Sequence, residues 1–198
     1  LSLGRLGACA ALLLVCTLAA WAQGQQAEIP RMQVEREGDA LLLSANVKFD
    51  LPAAVEDALL KGVAVVFLAE AEVMRERWYW TNKRVAGAER HMRLAYQPLT
   101  RRWRLNVAPG QITNLGLGLA LSQNFDNLAD ALAVVQRLSR WKIATMSELD
   151  PEQRHVVNFK FQLDVAQLPR PLQIGTVGDS DWNIAVSISQ PLAAEVQK

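Results

Sequence analysis

Apolar residues alternate with other residues along much of this chain, and this pattern restricts its fold more than any other feature. It is clearest in residues 63–73, where every second residue from Val63 to Val73 is apolar. The same alternation recurs in residues 32–37, 40–49, 90–96, 101–107, 156–163 and 182–188. Because successive side chains of a strand point to opposite faces, each of these segments is predicted to be a β-strand with one buried face.

The longest extended run, residues 63–81, changes its apolar parity partway. Val73 belongs to one set of alternate positions, whereas Trp78 and Trp80 belong to the other. A strand cannot bury both sets in one core unless a bulge or bend separates them, so we predict such an irregularity between Met74 and Arg77. By the same parity argument, Trp78, Trp80 and Trp103 are predicted to be core residues rather than a ligand platform.

Two segments have helical rather than alternating spacing. Residues 51–62 have a proline in the first turn and end in Gly62, which predicts a short amphipathic helix. Asp126 or Asn127 is predicted to cap a second helix that runs to about Arg140. Since short connections between successive strands favour antiparallel pairing, the fold class is predicted to be mainly β (α+β), an antiparallel two-sheet β-sandwich with two helices.

The first residues of the chain have the layout of a signal peptide. No charged residue occurs between Arg5 and Glu28, an apolar stretch occupies residues 10–20, and Ala20-Trp21-Ala22 has the small-residue pattern of a cleavage site. We therefore predict a signal peptide over residues 1–22, a single domain over residues 23–198 and a periplasmic location. A retained membrane anchor is the alternative, but the apolar stretch is shorter than the roughly 20 residues that a spanning helix needs.

Both cysteines, Cys9 and Cys16, lie within the predicted signal peptide. Residues 23–198 are therefore unable to form a disulfide, a catalytic thiol or a cysteine-ligated metal site. Removal of Arg5 leaves equal numbers of basic and acidic residues, so the overall charge gives no reason to expect nucleic-acid binding.

Several motifs along the chain are familiar in combination. They are Leu51-Pro52, residues 56–62, Arg77-Trp78-Tyr79-Trp80, residues 93–104, Gln123-Asn124-Phe125-Asp126, Leu168-Pro169-Arg170-Pro171 and Asp181-Trp182-Asn183. Together they resemble the exported proteobacterial proteins grouped as domain of unknown function family 4390. The resemblance covers residues 23–198 and implies export from a Gram-negative cell, but it implies no activity and no catalytic residues.

Few residues of the sequence are candidates for catalysis. Neither histidine, His91 or His155, has the spacing of a metal ligand, and each is predicted to be hydrogen-bonded or solvent-facing. Gly178-Asp179-Ser180-Asp181 is predicted to be a turn rather than an esterase nucleophile block or a calcium site, because it lies between late strands and lacks further ligands. We predict no metal, no cofactor and no enzymatic activity.

Positive charge is concentrated in residues 75–104, which contain nine Lys or Arg residues and only two acids, Glu76 and Glu89. By strand parity, an outward-facing set is predicted that comprises Arg75, Arg77, Arg93, Arg102 and Arg104, together with Tyr79 and His91. Such a face suits an anionic membrane surface, lipopolysaccharide phosphates or an acidic envelope protein. The alternative is that these arginines pair with acids elsewhere in the chain and form an ordinary solvated surface.

A different binding function is suggested by residues 115–121, where leucines alternate with Gly116, Gly118 and Ala120. Glycines on one face of a strand allow another group to approach closely. The alternative function is therefore a carrier or sensor of a small apolar ligand, held between the sheets against Gly116 and Gly118.

Overall fold

Two antiparallel sheets pack face to face in the structure, a computed structural model that describes residues 27–77, 81–110, 121–170, 182–193 and 196. One sheet has three strands and the other has six. The predicted fold class, a mainly β antiparallel sandwich with two helices, is confirmed.

The described residues form nine strands and two α-helices. The strands are β1 (Glu28–Glu37), β2 (Ala40–Lys48), β3 (Val65–Arg75), β4 (Lys83–Gln97), β5 (Arg102–Pro109), β6 (Leu121–Phe125), β7 (Arg137–Thr145), β8 (His155–Leu163) and β9 (Ala185–Pro191). Strands β1, β2 and β7 form the three-stranded sheet, and the six-stranded sheet has the order β6-β5-β4-β3-β8-β9. The helices are α1 (Ala53–Leu60) and α2 (Leu128–Val135), and two short 3-10 turns span Met146–Glu148 and Val165–Gln167.

The core lies between the two sheets and follows the alternation of the sequence. Phe67 of β3, Phe161 of β8 and Phe49 after β2 stack on one another, with ring centroids 5.5 to 5.9 Å apart. All three are almost fully buried. We call the face of the six-stranded sheet that carries Phe67 and Phe161 its inner face, and the opposite face, which carries Val66 and Arg93, its outer face.

Local sequence explains where the hairpin and the helices begin and end. The β1–β2 turn places Gly38 at a φ of 58°, and Gly62 after α1 has a φ of 84°, both in the left-handed region that glycine adopts without strain. Asn127 caps α2, because its side-chain oxygen accepts a hydrogen bond from the Asp130 N–H at 2.8 Å. The predicted short helix that ends near Gly62 and the predicted cap of the second helix are confirmed.

The predicted end of the second helix is wrong. The helix ends at Val135, and residues 137–145 form strand β7 instead. Ser139 and Arg140 together lie opposite Ser44, because Leu138 pairs with Ala45 and Trp141 pairs with Leu43. This bulge turns both Leu138 and Trp141 toward the core at a spacing of three, which resembles helical periodicity in the sequence.

Strand β3 also differs from its prediction, since it ends at Arg75 rather than near Thr81. The irregularity lies between Val73 and Met74, and the unpaired extra residue is Val85 on β4. Along its other edge, β3 pairs with β8 without interruption as far as Arg75. Alternation in β3 is therefore maintained up to Arg75, which shares the inner face with Val73.

Several other strand limits move as well. Strand β4 begins at Lys83, well before the predicted Arg90, and β1 begins at Glu28 rather than Met32. Strand β9 covers Ala185–Pro191 rather than residues 182–188, and β6 adds a strand over Leu121–Phe125.

Candidate functional site

Three of the predicted arginines meet at one corner of the outer face, where β4 and β5 are joined. Arg93 of β4 pairs with Asn106 of β5, and Arg104 precedes Asn106 by two positions on the same face. Arg93 and Arg104 are therefore diagonal neighbours, whose Cα atoms are typically about 7 to 8 Å apart. Arg102 continues the row toward the turn. We call Arg93, Arg102 and Arg104 the basic corner.

The charges of the basic corner are mostly unpaired. Arg102 Nε lies 3.4 Å from Asp126 Oδ1, and both side chains are exposed, so this pair is weak. Arg104 Nε donates a hydrogen bond to the neutral Asn124 Oδ1 at 3.3 Å. No carboxylate among the described residues lies within 4.0 Å of the guanidinium of Arg93 or Arg104.

The turn between β4 and β5, at the end of the two strands that carry the basic corner, presents an exposed apolar side chain. The turn consists of residues 98–101, and Arg101 adopts a left-handed φ of 52°. Thr100 Oγ1 donates a hydrogen bond to Gln97 Oε1 across the turn at 3.2 Å. Leu99, at the tip, is fully exposed, at 101% of its reference area. This hairpin thus carries both unpaired arginines and a fully exposed leucine.

The other half of the same face has its charges paired within the chain. Arg84 Nη1 lies 3.0 Å from Glu72 Oε1, and Lys160 Nζ lies 3.7 Å from Glu70 Oε2. We call these four residues the paired half. Gly87 of β4 lets the Arg84 guanidinium lie across the sheet, because a Cβ at position 87 would be 2.5 Å from Arg84 Nη2.

The prediction that all five arginines share one outward face is wrong for Arg75. Arg75 pairs with the buried His155 and lies on the inner face with Val73, because the bulged residue is in β4 and not in β3. Position 75 is nine residues along β3 from Val66, the partner of Arg93, which corresponds to roughly 30 Å. Arg77 is exposed, lies after the end of β3 and is outside any strand. The predicted set is therefore divided between the two ends of the sheet.

Other predicted site residues lie outside the described part of the chain. These are Tyr79 of the basic face, the tryptophans Trp78 and Trp80, and the glycines Gly116 and Gly118 of the alternative ligand slot. Residues 178–181 also lie outside it. Trp103, in contrast, is buried in the core as predicted, and its ring centroid lies 4.8 Å from that of Tyr96.

His91 lies on the outer face as parity predicts, but the expectation that it is exposed beside Arg93 is wrong. It is 2% exposed, because Gln167 of the Val165–Gln167 turn lies against it. Gln167 Nε2 donates to Asp164 Oδ2 at 2.7 Å and approaches His91 Nδ1 at 3.3 Å. His91 Nε2 is 3.6 Å from Glu89 Oε2, longer than a hydrogen bond. His155 is likewise buried, on the inner face.

Sequence reasoning missed an arginine between the sheets. Arg90 lies on the inner face of β4, and its guanidinium carbon is 5.0 Å from the ring centroid of Trp141 on β7. Burial lowers the pKa of Arg90 from its ordinary value, because desolvation disfavours the charged form. Its parity with Met92 and Leu94 was the available signal. The cation–π contact between Arg90 and Trp141 joins the two sheets, which favours a structural role for Arg90.

The described residues contain no group of three or more His, Cys, Asp or Glu side chains placed to hold a metal ion. In the same part of the chain, none of the helices has the length and apolar character required to cross a membrane.

Comparison with known proteins gives one match. Residues 24–190 match the family described as domain of unknown function (DUF4390). Neither the curated proteins nor the solved structures include one that matches the chain significantly. Since the matched region covers most of the chain, this protein belongs to the DUF4390 family.

Proposed function

We propose that this protein is an exported, non-catalytic binding module that attaches to an anionic membrane surface of the cell envelope through the basic corner and Leu99. Residues 1–22 would direct its export to the periplasm and be removed, which leaves a domain without cysteine. No cofactor or metal is part of the proposal.

The observation that carries the proposal is the fully exposed Leu99 in the turn that joins the two strands of the unpaired arginines Arg93 and Arg104. A guanidinium presents several hydrogen-bond donors to phosphate oxygens, and each basic residue near an anionic bilayer contributes about 1 kcal/mol. An apolar side chain at the tip of a turn is able to enter the boundary between headgroups and acyl chains. The arginines therefore suit the phosphates of the headgroup layer, and Leu99 suits the acyl-chain boundary beneath it.

Leu99 also favours a membrane over an acidic protein partner. An acidic protein surface would satisfy the arginines, but its charge gives no reason for a fully exposed leucine in the adjoining turn. Burial of one leucine side chain in an apolar phase contributes about 1.5 to 3 kcal/mol, and the acyl-chain region of a membrane supplies such a phase. Attraction to headgroup charge and insertion of the leucine are expected to act together.

The non-catalytic part of the proposal rests on the surroundings of His91. Acid or base catalysis requires a titratable group within hydrogen-bond reach of a reacting proton. His91 is buried, separated from Glu89 by 3.6 Å and covered by Gln167. These surroundings favour a packing role for His91.

Sedimentation with lipid vesicles tests this proposal. The protein would be mixed with vesicles of phosphatidylglycerol and phosphatidylcholine, and with vesicles of phosphatidylcholine alone. We expect binding only to the anionic vesicles, and we expect Arg93→Gln/Arg104→Gln to weaken that binding roughly tenfold or more.

The matched control is Arg84→Gln/Lys160→Gln, which removes the same charge from the paired half of the same face. This control is expected to bind like the unaltered protein. Equal weakening by the two double variants would show that net charge alone drives binding, and the proposed surface would be wrong. Absence of binding to anionic vesicles at low salt would reject the proposal altogether.

A further inference from the structure

The outer face of the three-stranded sheet carries a second concentration of arginines, in the other layer of the sandwich from the basic corner. Arg31, Arg137 and Arg140 line an open groove of about 450 Å³ on this face. This volume falls within the range of small-molecule sites. The proposed membrane attachment uses none of these residues.

Strand register places two of the arginines on either side of an amide. Asn46 of the central strand β2 pairs with Arg31 of β1 on one side and with Arg137 of β7 on the other. Because neighbouring strands are about 4.8 Å apart, the Cα atoms of the two arginines are separated by about 10 Å across the Asn46 side chain. Arginine side chains are long enough to converge above Asn46.

The bulge in β7 adds a third cation and a hydroxyl group to the same groove. Arg140 adopts a left-handed φ of 47°, and its N–H donates a hydrogen bond to Ser44 Oγ at 3.0 Å. Its guanidinium pairs with Glu37. A left-handed conformation at a residue other than glycine costs about 1 kcal/mol or more, and strain of this kind is concentrated at functional sites.

The charges of the groove are unbalanced. The residues that line it include the three arginines and no acidic residue. Arg140 has Glu37 as its partner, but no carboxylate among the described residues lies within 4.0 Å of the guanidinium of Arg31 or Arg137. Between them lie the amide of Asn46 and, one row further, the side chains of Gln33 and Ser44. An anion held above Asn46 would be shared by two cations that otherwise only repel each other.

We propose that this groove binds a small soluble molecule through a phosphate group held between Arg31 and Arg137. A carboxylate has two oxygens in one plane, which a single guanidinium satisfies. A phosphate monoester has three terminal oxygens in a tetrahedral arrangement, so both arginines and the Asn46 amide are able to bind it together. The rest of the groove, with Gln33 and Ser44, provides hydrogen-bonding groups for the remainder of the molecule.

A soluble ligand fits this groove better than a membrane does. The large apolar side chains that are strongly exposed among the described residues are Leu60, Leu99 and Leu121. None of them lines the groove. The groove therefore lacks the apolar group that distinguishes the basic corner, and hydrogen bonds to a polar ligand remain as its means of recognition.

Titration followed by two-dimensional NMR tests the proposal. Glucose 6-phosphate, inorganic phosphate and acetate would be added separately to uniformly ¹⁵N-labelled protein. We expect the two phosphate probes to shift the backbone amide signals of Asn46, Arg137 and Ser139 in a saturable way, and acetate to bind at least about tenfold more weakly. Arg31→Gln/Arg137→Gln should weaken phosphate binding at least about tenfold, since two charge-assisted contacts are lost.

The matched control is Arg93→Gln/Arg104→Gln, which carries the same charge change in the other layer and should leave phosphate binding unchanged. This control also separates the groove from the proposed membrane surface, because each double variant is expected to impair one activity only. Weak, non-saturating shifts spread over all basic residues would overturn the proposal. Equal affinity for acetate and phosphate, or response of the groove to anionic vesicles but not to soluble phosphates, would overturn it as well.

Discussion

The two halves of the outer face of the six-stranded sheet use similar residues in different ways. In the paired half, Arg84 and Lys160 each have a glutamate partner on a neighbouring strand. In the basic corner, Arg93 and Arg104 have no carboxylate partner among the described residues, and Arg102 has an exposed one. The difference shows that a charged strand face does not by itself present free charge. The distribution of the acids across the strands decides which arginines remain available.

The same contrast separates a stabilising role from a binding role. Exposed ion pairs contribute about 0 to 1 kcal/mol each, so the paired half adds little to stability but neutralises its own charge. Arg93 and Arg104 of the basic corner lack even that contribution. Its arginines are therefore expected to matter for ligand binding and hardly at all for folding. Substitutions in the core, in the basic corner and in the paired half distinguish these roles.

The largest expected effect comes from the core, which lies beneath both halves. Phe161 is fully buried and stacks on Phe49 and Phe67. Replacement of Phe161 by alanine should lower the free energy of unfolding by about 3 to 5 kcal/mol, because apolar burial is lost and a cavity remains. Urea denaturation followed by tryptophan fluorescence measures this. A loss below about 1 kcal/mol would contradict the proposed position of the core.

A smaller effect is expected from Leu99→Ser, which tests whether the turn next to the basic corner takes part in membrane binding. Leu99 is fully exposed, so the unfolding free energy should change by less than about 0.5 kcal/mol. Binding to phosphatidylglycerol vesicles should weaken about tenfold, since insertion of one leucine is lost. Leu60→Ser, at another exposed leucine, is the control and should leave vesicle binding unchanged. A Leu99→Ser protein that binds normally would show that the leucine has no role.

Gly87→Ala tests whether the Arg84–Glu72 pair of the paired half depends on the absence of a side chain at position 87. The new Cβ would lie 2.5 Å from Arg84 Nη2 and 3.0 Å from the Ala71 carbonyl oxygen, so the Arg84 side chain must leave its position across the sheet. Loss of the pair with Glu72 and crowding against the backbone should together reduce stability by about 1 kcal/mol. Thermal unfolding would detect this. An Arg84→Ala background should reduce the effect, because the side chain that must move is already absent.

The smallest effect is expected from Glu72→Gln, which breaks the Arg84–Glu72 pair but keeps the shape of the side chain. The unfolding free energy should fall by no more than about 0.5 kcal/mol, since both partners are partly exposed. The same substitution leaves Arg84 without a carboxylate partner and so makes the paired half resemble the basic corner. A modest gain in binding to anionic vesicles is therefore expected, and a loss of binding would contradict the comparison.

Alternation in the sequence was sufficient to predict the sandwich, but two bulges limited the prediction of its details. Residues such as Phe67 and Phe161 indicate their buried face directly, because strict alternation continues along β3 and β8. The extra residues Val85 and Arg140 are not visible in that pattern. Arg75 was assigned to the wrong face because an irregularity was expected within β3 itself, whereas the extra residue, Val85, lies on β4 and leaves β3 regular. Arg140 shifts the parity within β7, and for this reason β7 was assigned to a helix.

The candidate site was predictable only where neighbouring strands could be inferred. Arg93, Arg102 and Arg104 lie on two strands joined by a short turn, so their parity was enough to bring them together. The burial of His91 depends on Gln167, which is distant in sequence, and no local pattern indicates it. The groove of Arg31 and Arg137 forms because β1 and β7 both pair with β2. Strands β1 and β7 are far apart in the sequence, and no local pattern indicates that they share a neighbour.

Site-specific fluorescence provides the most direct test of the central claim, that the basic corner with Leu99 is the membrane-binding surface. Residues 23–198 contain no cysteine, so single cysteines introduced by Leu99→Cys and Ser187→Cys would each carry one environment-sensitive dye. Ser187 is exposed on the outer face of β9, opposite Lys160 of the paired half. On addition of phosphatidylglycerol vesicles, the dye at position 99 should shift to shorter wavelength while the dye at position 187 remains unchanged. An equal shift at both positions, or a shift at position 187 alone, would contradict the account.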